Sequence, residues 1–294
     1  MGAKPSKPKR ILQDGDTDNN SDNDPFIQRG QTYIDKSQEQ QHFLRAIWIE
    51  NFLSPVRGTL SAGGAKVLDV CCGPGTWMFD NASDFKNARF IGIDIVNLLP
   101  NEKPLNVEFQ TADVLQRLPF DDDYFDFVYL QFVTLWFTEQ QLIENIIPEC
   151  VRVLRPGGWI EISDADVHLY MQGQLGTMIN SYGKFFERFI AQQLQKHNFN
   201  PFLGCHLEFF LQSTQKVQNI QKKELDFSIP SLNTYGSGMG DTAFRFYSEV
   251  GIKSALERGL LKEEDTENFF INSMREAVER QAYFKFYRIF AEKI

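Results

Sequence analysis

Apolar and polar positions along the chain repeat with two different periods. Short apolar runs rich in β-branched residues stop at glycine, proline or aspartate, beginning with the run from Val67 to Val70. Longer segments place apolar residues on one helical stripe; within the segment from Asp35 to Leu53, Phe43 and Ile47 are one turn apart. The first pattern is typical of buried strands and the second of amphipathic helices. Their alternation predicts an α/β fold.

The pattern predicts seven strands: the run ending at Val70, then Arg89 to Ile93, Val107 to Asp113, Tyr124 to Gln131, Trp159 to Ser163, Lys216 to Ile229 and Gln281 to Ala291. Helices are expected at Asp35 to Leu53, Thr76 to Phe85, Thr138 to Leu154, within 172–214, Asp241 to Gly259 and Glu263 to Glu279. The last strand alternates aromatic with charged residues, so we expect it to be an antiparallel edge strand. The whole predicts a mostly parallel, Rossmann-like sheet with helices on both faces.

The turn after the first strand is the most informative segment. It reads Asp-Val-Cys-Cys-Gly-Pro-Gly from Asp69 to Gly75, and a predicted helix begins directly at Thr76. Gly73 and Gly75 allow a sharp turn whose N–H groups are exposed beside the positive end of that helix. The second strand ends at Asp94, where a carboxylate can bind the hydroxyl groups of a ribose. The segment therefore predicts a nucleotide-like ligand.

Asp69, at the end of the first strand, indicates which kind of nucleotide the turn can bind. A dinucleotide-binding turn has the pattern G-x-G-x-x-G and approaches a pyrophosphate closely, but here the glycines are compressed and position 78 is Met. Asp69 would repel a phosphate, whereas it can hold an ammonium group through water. A ligand with a cation and an adenosine, S-adenosylmethionine, fits best. An ordinary strand-to-helix turn and a nicotinamide-dependent oxidoreductase stay open as alternatives.

The same turn resembles the first motif of the class I S-adenosylmethionine-dependent methyltransferases, (D/E)-x-G-x-G-x-G, except that Cys71 stands at the first glycine. If that position needs a positive φ, a cysteine would be strained there. The resemblance implies that Asp113 binds the exocyclic amine of adenine, that Val114 contacts the ring and that Gln131 lies beside the methionine portion. The candidate cofactor-binding residues are Asp69, Cys71, Gly73, Gly75, Thr76, Asp94, Ile95, Asp113, Val114 and Gln131.

Further segments are similar to the fungal LaeA-like methyltransferases of secondary metabolism. They lie at 41–44, 51–56, 67–77, 91–94, 118–128 and 155–161. The resemblance implies methyl transfer to an unidentified acceptor, a small molecule or a protein. It equally allows a non-catalytic or weakly catalytic regulator that binds the cofactor and acts through protein partners.

The acceptor side offers few candidates. Asp164, Asp166 and His168 follow the fifth predicted strand and are the candidates for a base on the substrate side. Methyl transfer from a sulfonium is an in-line displacement that positioning alone can accelerate, so a dedicated base need not exist. No Asn/Asp-Pro-Pro-Tyr/Phe motif follows the fourth strand, which argues against methylation of adenine, cytosine or glutamine amides.

Composition and net charge argue against several kinds of binding partner. The 294 residues are 42% apolar with a net charge of −9, which suits one domain with tails or insertions and argues against nucleic acid as a partner. The cysteines at 71, 72, 150 and 205 have neither zinc-site nor disulfide-framework spacing, and we expect no metal site and a reducing compartment. No apolar run is long enough for a membrane span and no secretory signal is recognisable, so a soluble, cytoplasmic protein is expected.

The N-terminal segment carries a lipidation pattern. Gly2 and Ser6 fit M-G-x-x-x-[ST], the pattern of N-myristoylation, and the basic residues within 1–10 would supply the second signal that membrane binding requires. The alternatives are a chance match in a disordered basic tail and a short nuclear import signal.

The predicted organisation has three parts. Residues 1–30 form a basic and then acidic disordered tail, and residues 31–60 form a helical lid. Residues 61–294 form the methyltransferase domain, with helical insertions at about 172–214 and 241–280.

Overall fold

The computed structural model of this chain describes residues 31–100, 102–166, 170, 200, 202–228, 256 and 261–294. Its strands are β1 (Lys66–Val70), β2 (Arg89–Asp94), β3 (Val107–Thr111), β4 (Phe125–Gln131), β5 (Leu154–Ala165), β6 (Val217–Ser228) and β7 (Tyr283–Lys293). Its α-helices are α1 (Gln31–Trp48), α2 (Arg57–Ala62), α3 (Thr76–Asp84), α4 (Glu139–Gln141), α5 (Ile147–Val153), α6 (Leu207–Ser213) and α7 (Thr266–Glu279). A π-helical turn, Leu142–Ile146, joins α4 to α5.

The strands form one seven-stranded sheet in the order β3-β2-β1-β4-β5-β7-β6. Neighbouring strands from β3 to β5 are parallel, whereas β7 runs antiparallel to both β5 and β6. This confirms the predicted mostly parallel, Rossmann-like sheet with an antiparallel last strand. Because the parallel strands end at the same edge, the residues that follow them collect there.

The prediction that the last strand is an edge strand is wrong. β7 lies between β5 and β6, and β6 forms the edge. Residues 286–291 of β7 are all buried, whereas much of β6 is exposed. The aromatic residues of β7 therefore reflect burial on both faces of the sheet rather than protection of an edge.

Several helix and strand boundaries also differ from the prediction, most clearly those of the first helix and of β5. The first helix ends at Trp48 instead of Leu53, and Ile49 has a left-handed backbone with φ 65°. β5 begins at Leu154 instead of Trp159, because the Arg-Pro-Gly-Gly turn is incorporated into the strand with Gly157 at φ 73°. The capping box predicted at the start of the next helix is present, since the Thr138 side chain caps α4.

Two hydrophobic clusters of the described residues lie on opposite faces of the sheet. Leu68 and Leu130 belong to the cluster covered by α5 and α6, and Val67 and Phe127 to the cluster covered by α2 and α3. Successive residues of one strand point to opposite faces. Asp69 and Tyr129 consequently lie on the α3 side, among residues that pack against Phe52 and the first turn of α3.

Several predicted features fall outside the described residues. They are the tail 1–30 with Gly2, the candidate base His168, the helix at 241–259 apart from residue 256, and residues 172–199 and 201 of the first insertion. The described part of that insertion contains α6, and the described part of the second contains α7. None of the described helices is both long enough and apolar enough to cross a membrane.

Candidate functional site

The turn after β1 is built from left-handed residues. Cys71, Gly73 and Gly75 have φ values of 59°, 52° and 78°, and the Gly75 N–H donates to the Cys72 carbonyl at 2.9 Å. Gly75 caps α3, and Thr76 is its first residue. The two glycines tolerate these angles freely, whereas a residue with a Cβ adopts them at a cost. The predicted strain at Cys71 is therefore present.

Asp94 at the tip of β2 holds this turn in place. One carboxylate oxygen accepts the Gly73 N–H at 3.0 Å, and the other accepts the Val96 N–H at 3.3 Å. Burial raises the pKa of Asp94, and these backbone N–H groups oppose the shift. The side chain that the sequence assigns to a ribose thus also fixes the glycine turn.

Asp69 is the most isolated carboxylate of the site. It is 3% exposed, and the described residues donate no hydrogen bond to it. Its pKa is raised well above the usual range, first by burial and second by the charge of Asp94. A cation placed between the two carboxylates would relieve both effects. This unpaired, buried negative charge is the observation that fits the ammonium group of S-adenosylmethionine.

The three strand-tip carboxylates lie together around Cys71. Burial raises the pKa of the Cys71 thiol, and the charges of Asp94, Asp69 and Asp113 raise it further. A thiol in such surroundings stays protonated, so Cys71 is not a nucleophile here. Asp69, Asp94 and Asp113 are thus near enough to act on one thiol beside the glycine turn, and their roles toward a cofactor stay a prediction.

The residues predicted to contact adenine differ in how far their side chains are exposed to solvent. The Asp113 carboxylate accepts the Leu115 N–H at 3.0 Å, which orders the turn after β3. Val114 is 3% exposed and belongs to the hydrophobic core, whereas Ile95 is 47% exposed at the tip of β2. Of these two apolar residues, Ile95 is the one whose side chain is free to contact a ring.

Gln131 ends β4 beside the first strand. Its side-chain oxygen accepts the hydroxyl of Tyr129 at 2.9 Å. The Tyr129 ring stacks on Trp77 with 3.9 Å between centroids and 6° between planes. Trp77 in turn donates to the Asn51 carbonyl at 2.9 Å, which connects the site to the segment after α1.

The two described candidates for a base are both held by the protein itself. Asp164 accepts the Thr134 N–H at 3.0 Å, the Thr134 hydroxyl at 2.6 Å and the Ala165 N–H at 2.9 Å. Burial raises its pKa to about 6.

Asp166 accepts the hydroxyl groups of Tyr170 and Tyr287 at 2.6 Å and 2.8 Å. Its other oxygen is buried against Gly204 without a hydrogen-bond partner. Neither Asp164 nor Asp166 is therefore free in this structure to take a proton from a substrate.

Sequence reasoning missed four residues near the site: Trp77, Tyr129, Glu161 and Arg288. Glu161 had a readable signal, because a carboxylate inside the apolar strand Trp-Ile-Glu-Ile must find buried partners. The other three gave no signal, since buried aromatic residues and a long cation in an amphipathic strand are ordinary. Among the described residues, no group of three or more His, Cys, Asp or Glu side chains is placed to hold a metal ion.

Comparison with known proteins shows a similarity in the segment that contains the strand-end carboxylates. Residues 67–158 match the family model of a methyltransferase domain, a segment that runs from β1 into β5 and contains the whole strand-tip site. This segment of the chain is therefore similar to methyltransferase domains, whose cofactor is S-adenosylmethionine.

Individual relatives agree with this assignment. The chain is 26% identical over 192 residues to methyltransferase str3 of Strobilurus tenacellus, covering 64% of this chain and 65% of that protein. It is 34% identical over 108 residues to the secondary metabolism regulator laeA of Coprinopsis cinerea, covering 36% of this chain and 26% of that protein. The chain spans less than two thirds of the length of either relative. The similarity to LaeA-like proteins expected from the sequence is thereby confirmed.

A solved structure supports the fold. Phosphoethanolamine N-methyltransferase 2 of Haemonchus contortus, in complex with phosphomonomethylethanolamine and S-adenosylhomocysteine, superposes with a TM-score of 0.50 at 15% identity. The superposition covers 91% of this chain and 60% of that chain.

Proposed function

We propose that this protein is a methyltransferase that transfers a methyl group from S-adenosylmethionine to an acceptor, either a small molecule or a protein. The observation that carries the proposal is the unpaired, buried Asp69 carboxylate beside Asp94 and the left-handed glycine turn. A cationic ligand offsets this charge, whereas a phosphate of a nicotinamide cofactor would add to it. The match of residues 67–158 to a methyltransferase domain supports the same choice.

Each strand tip has a separate task in this proposal. Asp69 orients the ammonium group of the methionine portion, Asp94 binds the ribose hydroxyls and Asp113 accepts the adenine amine. Ile95, with its exposed side chain, contacts the ring. The bound cofactor supplies a methyl group on a positively charged sulfur, which is the electrophile of the reaction.

The acceptor side is proposed to act by positioning. Both oxygens of Asp164 accept hydrogen bonds, and Asp166 accepts at one oxygen while the other is buried against Gly204, which supports transfer without proton abstraction by either of them. Alignment of two reactants can by itself lower a barrier by several kcal/mol, roughly 7–11 in favourable cases. An acceptor that is already a nucleophile at neutral pH would suit this arrangement.

Calorimetric titration with S-adenosylhomocysteine tests the cofactor assignment. We expect binding by the full chain and, in Asp94→Ala, an affinity weaker by at least about ten-fold, because charge-assisted hydrogen bonds are lost. Asp84→Ala, at the exposed end of α3, is the matched control and should bind as the parent does. Binding of NAD(P) with no response to S-adenosylhomocysteine would overturn the proposal.

A non-catalytic or weakly catalytic regulator is the second candidate. The observation that favours it is the similarity to secondary metabolism regulators of Coprinopsis cinerea and Cochliobolus heterostrophus, at 34% and 32% identity over 108 residues each. Incubation of the protein with methyl-labelled S-adenosylmethionine and a cell extract separates the two. A labelled product supports the enzyme, and cofactor binding without any labelled product supports the regulator.

We also propose that Gly2 is N-myristoylated and that residues 1–10 contact anionic membranes. The support is the sequence alone: the acylation pattern is followed by Lys4, Lys7, Lys9 and Arg10. Co-expression with an N-myristoyltransferase should add the mass of one acyl chain to the parent and none to Gly2→Ala. An unchanged parent mass would remove the proposal.

A further inference from the structure

We propose that Tyr129 and Ser163 fix the side-chain amide of Gln131 so that its NH2 group faces the cofactor site and binds the carboxylate of S-adenosylmethionine. Tyr129 and Ser163 are positioning residues in this account, and Gln131 is the residue that contacts the ligand. The inference rests on the proposed function, since it assigns one end of the same cofactor.

The three residues are neighbours on one face of the sheet. Gln131 follows Tyr129 by two positions on β4, so both side chains point to the same side. Ser163 on β5 is the register partner of Gln131. Adjacent strands are about 4.8 Å apart, which brings the three polar groups within reach of one another.

The hydrogen bond between Tyr129 and Gln131 has a defined direction. The Tyr129 hydroxyl donates to the Gln131 side-chain oxygen at 2.9 Å, and Ser163, the register partner of Gln131, lies on the same face of the neighbouring strand. Burial raises the pKa of Tyr129, so the phenol keeps its proton and remains a donor at any physiological pH. With its oxygen engaged, the Gln131 amide presents its two N–H donors to any further partner.

Trp77 stacks on the Tyr129 ring and restricts its rotation. Trp77 lies parallel to the Tyr129 ring at 3.9 Å, and its own N–H is anchored on the Asn51 carbonyl. Trp77 belongs to the first turn of α3, directly after the glycine turn. The amide of Gln131 is thereby held rigidly relative to the backbone that faces the cofactor.

The charge of Asp69 indicates which group at the amino-acid end of the ligand the Gln131 amide binds. The amino-acid end of S-adenosylmethionine carries an ammonium group and a carboxylate. The buried Asp69 carboxylate repels the ligand's carboxylate and attracts its ammonium group. Asp69 is the register partner of Tyr129. Gln131 lies two residues further along β4, on the same face and nearer the edge where the parallel strands end. A group with two donors at that position complements the carboxylate.

Two ligands that differ only in the amino-acid end provide the test. S-adenosylhomocysteine carries this end, whereas 5′-methylthioadenosine lacks it, and both can be titrated calorimetrically without an acceptor. In Gln131→Ala and in Tyr129→Phe we expect the affinity for S-adenosylhomocysteine to fall by about ten-fold, the effect of one lost hydrogen bond to a charged group. The affinity for 5′-methylthioadenosine should not change. Tyr129→Phe keeps the ring that stacks on Trp77.

Further variants separate positioning from a structural effect. Ser163→Ala should show part of the Tyr129→Phe loss, and Ser163→Thr, which keeps a hydroxyl, should restore it. The double variant Tyr129→Phe/Gln131→Ala should be no weaker than Gln131→Ala alone, because the phenol acts through the amide. Tyr124→Phe removes the same hydroxyl group just before β4 begins, at the opposite end of the strand, and should bind both ligands as the parent does.

The outcomes distinguish this inference from the proposed function. If the parent binds neither ligand, the proposed function fails and the inference fails with it. The inference alone fails if the parent binds S-adenosylhomocysteine and the variants weaken both ligands equally or neither of them.

Discussion

Arg288 and Glu161 form an ion pair that is almost wholly removed from solvent: Nη1 of Arg288 lies 3.7 Å from Oε1 of Glu161, with side chains 2% and 0% exposed. The carboxylate also accepts the N–H groups of Leu53 and Ser54 and the Ser54 hydroxyl at 2.7–3.0 Å. Arg288 donates to the Glu50 carbonyl at 2.9 Å. The pair therefore ties β5 and β7 to the segment that follows α1.

Removing the carboxylate should be strongly destabilising. In Glu161→Ala, Arg288 would keep its charge in the core without a counter-charge, a situation that typically costs about 3–5 kcal/mol. Glu108→Ala is the matched control, because Glu108 pairs with Arg89 on the surface at 50% and 47% exposure and such pairs contribute about 1 kcal/mol or less. Urea unfolding followed by circular dichroism measures both free energies of unfolding. Equal losses in the two variants would show that the buried pair does not stabilise the fold.

This pair also illustrates where the sequence stops being informative. The strands from β1 to β4 and the glycine turn could be predicted because each is encoded by a local pattern of a few residues. Arg288 meets Glu161 only because β7 inserts antiparallel beside β5. The same insertion makes β6 the edge strand, which the aromatic alternation of β7 could not reveal.

In the candidate site, too, some features could be predicted from the sequence and others could not. Asp69, Asp94 and Asp113 each stand at the end of an apolar run, and parallel strands must bring such positions to one edge. The direction of the Tyr129 hydrogen bond and the engagement of Asp164 by Thr134 depend on side chains that meet across strands and loops. Local periodicity places residues on faces and at edges, but it does not specify which polar groups pair there.

Cys71 should be replaceable by glycine at lower cost than by alanine. Its backbone is left-handed, with φ 59°, at the position where the related motif has its first glycine. Alanine keeps a Cβ in this conformation, whereas glycine does not, and the difference is about 1–2 kcal/mol in favour of glycine. Both variants lose the same sulfur atom, so they differ only in the Cβ and in the backbone freedom that its absence gives. Urea unfolding of the two should give a higher free energy for Cys71→Gly; a higher value for Cys71→Ala would mean that the turn relaxes out of the left-handed region.

Phe43 should be the residue that attaches α1 to the sheet. It is 4% exposed, and its ring lies 4.9 Å from that of Phe227 on β6 and 5.5 Å from that of Phe286 on β7. Truncation of a buried phenylalanine costs about 3–5 kcal/mol, so Phe43→Ala should lower the free energy of unfolding by that amount and increase hydrogen exchange within α1. His42→Ala, at the exposed neighbouring position, should change stability by less than about 0.5 kcal/mol. A similar result for both variants would contradict attachment through this ring.

The stability of the protein should depend on pH through Asp164. Burial raises the pKa of this carboxyl to about 6 in the folded state, against about 3.9 for an unfolded aspartate. Because the folded state holds the proton more tightly, the contribution of Asp164 to stability is greatest below about pH 4 and falls as the pH rises to about 6. Asp164→Asn has no proton to lose, so the free energy of unfolding of the parent relative to this variant should decrease between pH 4.5 and 7.5.

Asp121→Asn, an exposed substitution of the same kind, should parallel the parent over that range. At neutral pH, Asp164→Asn should still be less stable than the parent, because the asparagine NH2 group cannot accept the N–H of Thr134 or of Ala165. The Thr134 N–H would then be buried without an acceptor, which costs about 1–3 kcal/mol. Urea titrations of the three proteins at pH 4.5, 6.0 and 7.5 measure both effects. A pH-independent difference between the parent and Asp164→Asn would show that this carboxyl titrates as it does in the unfolded chain.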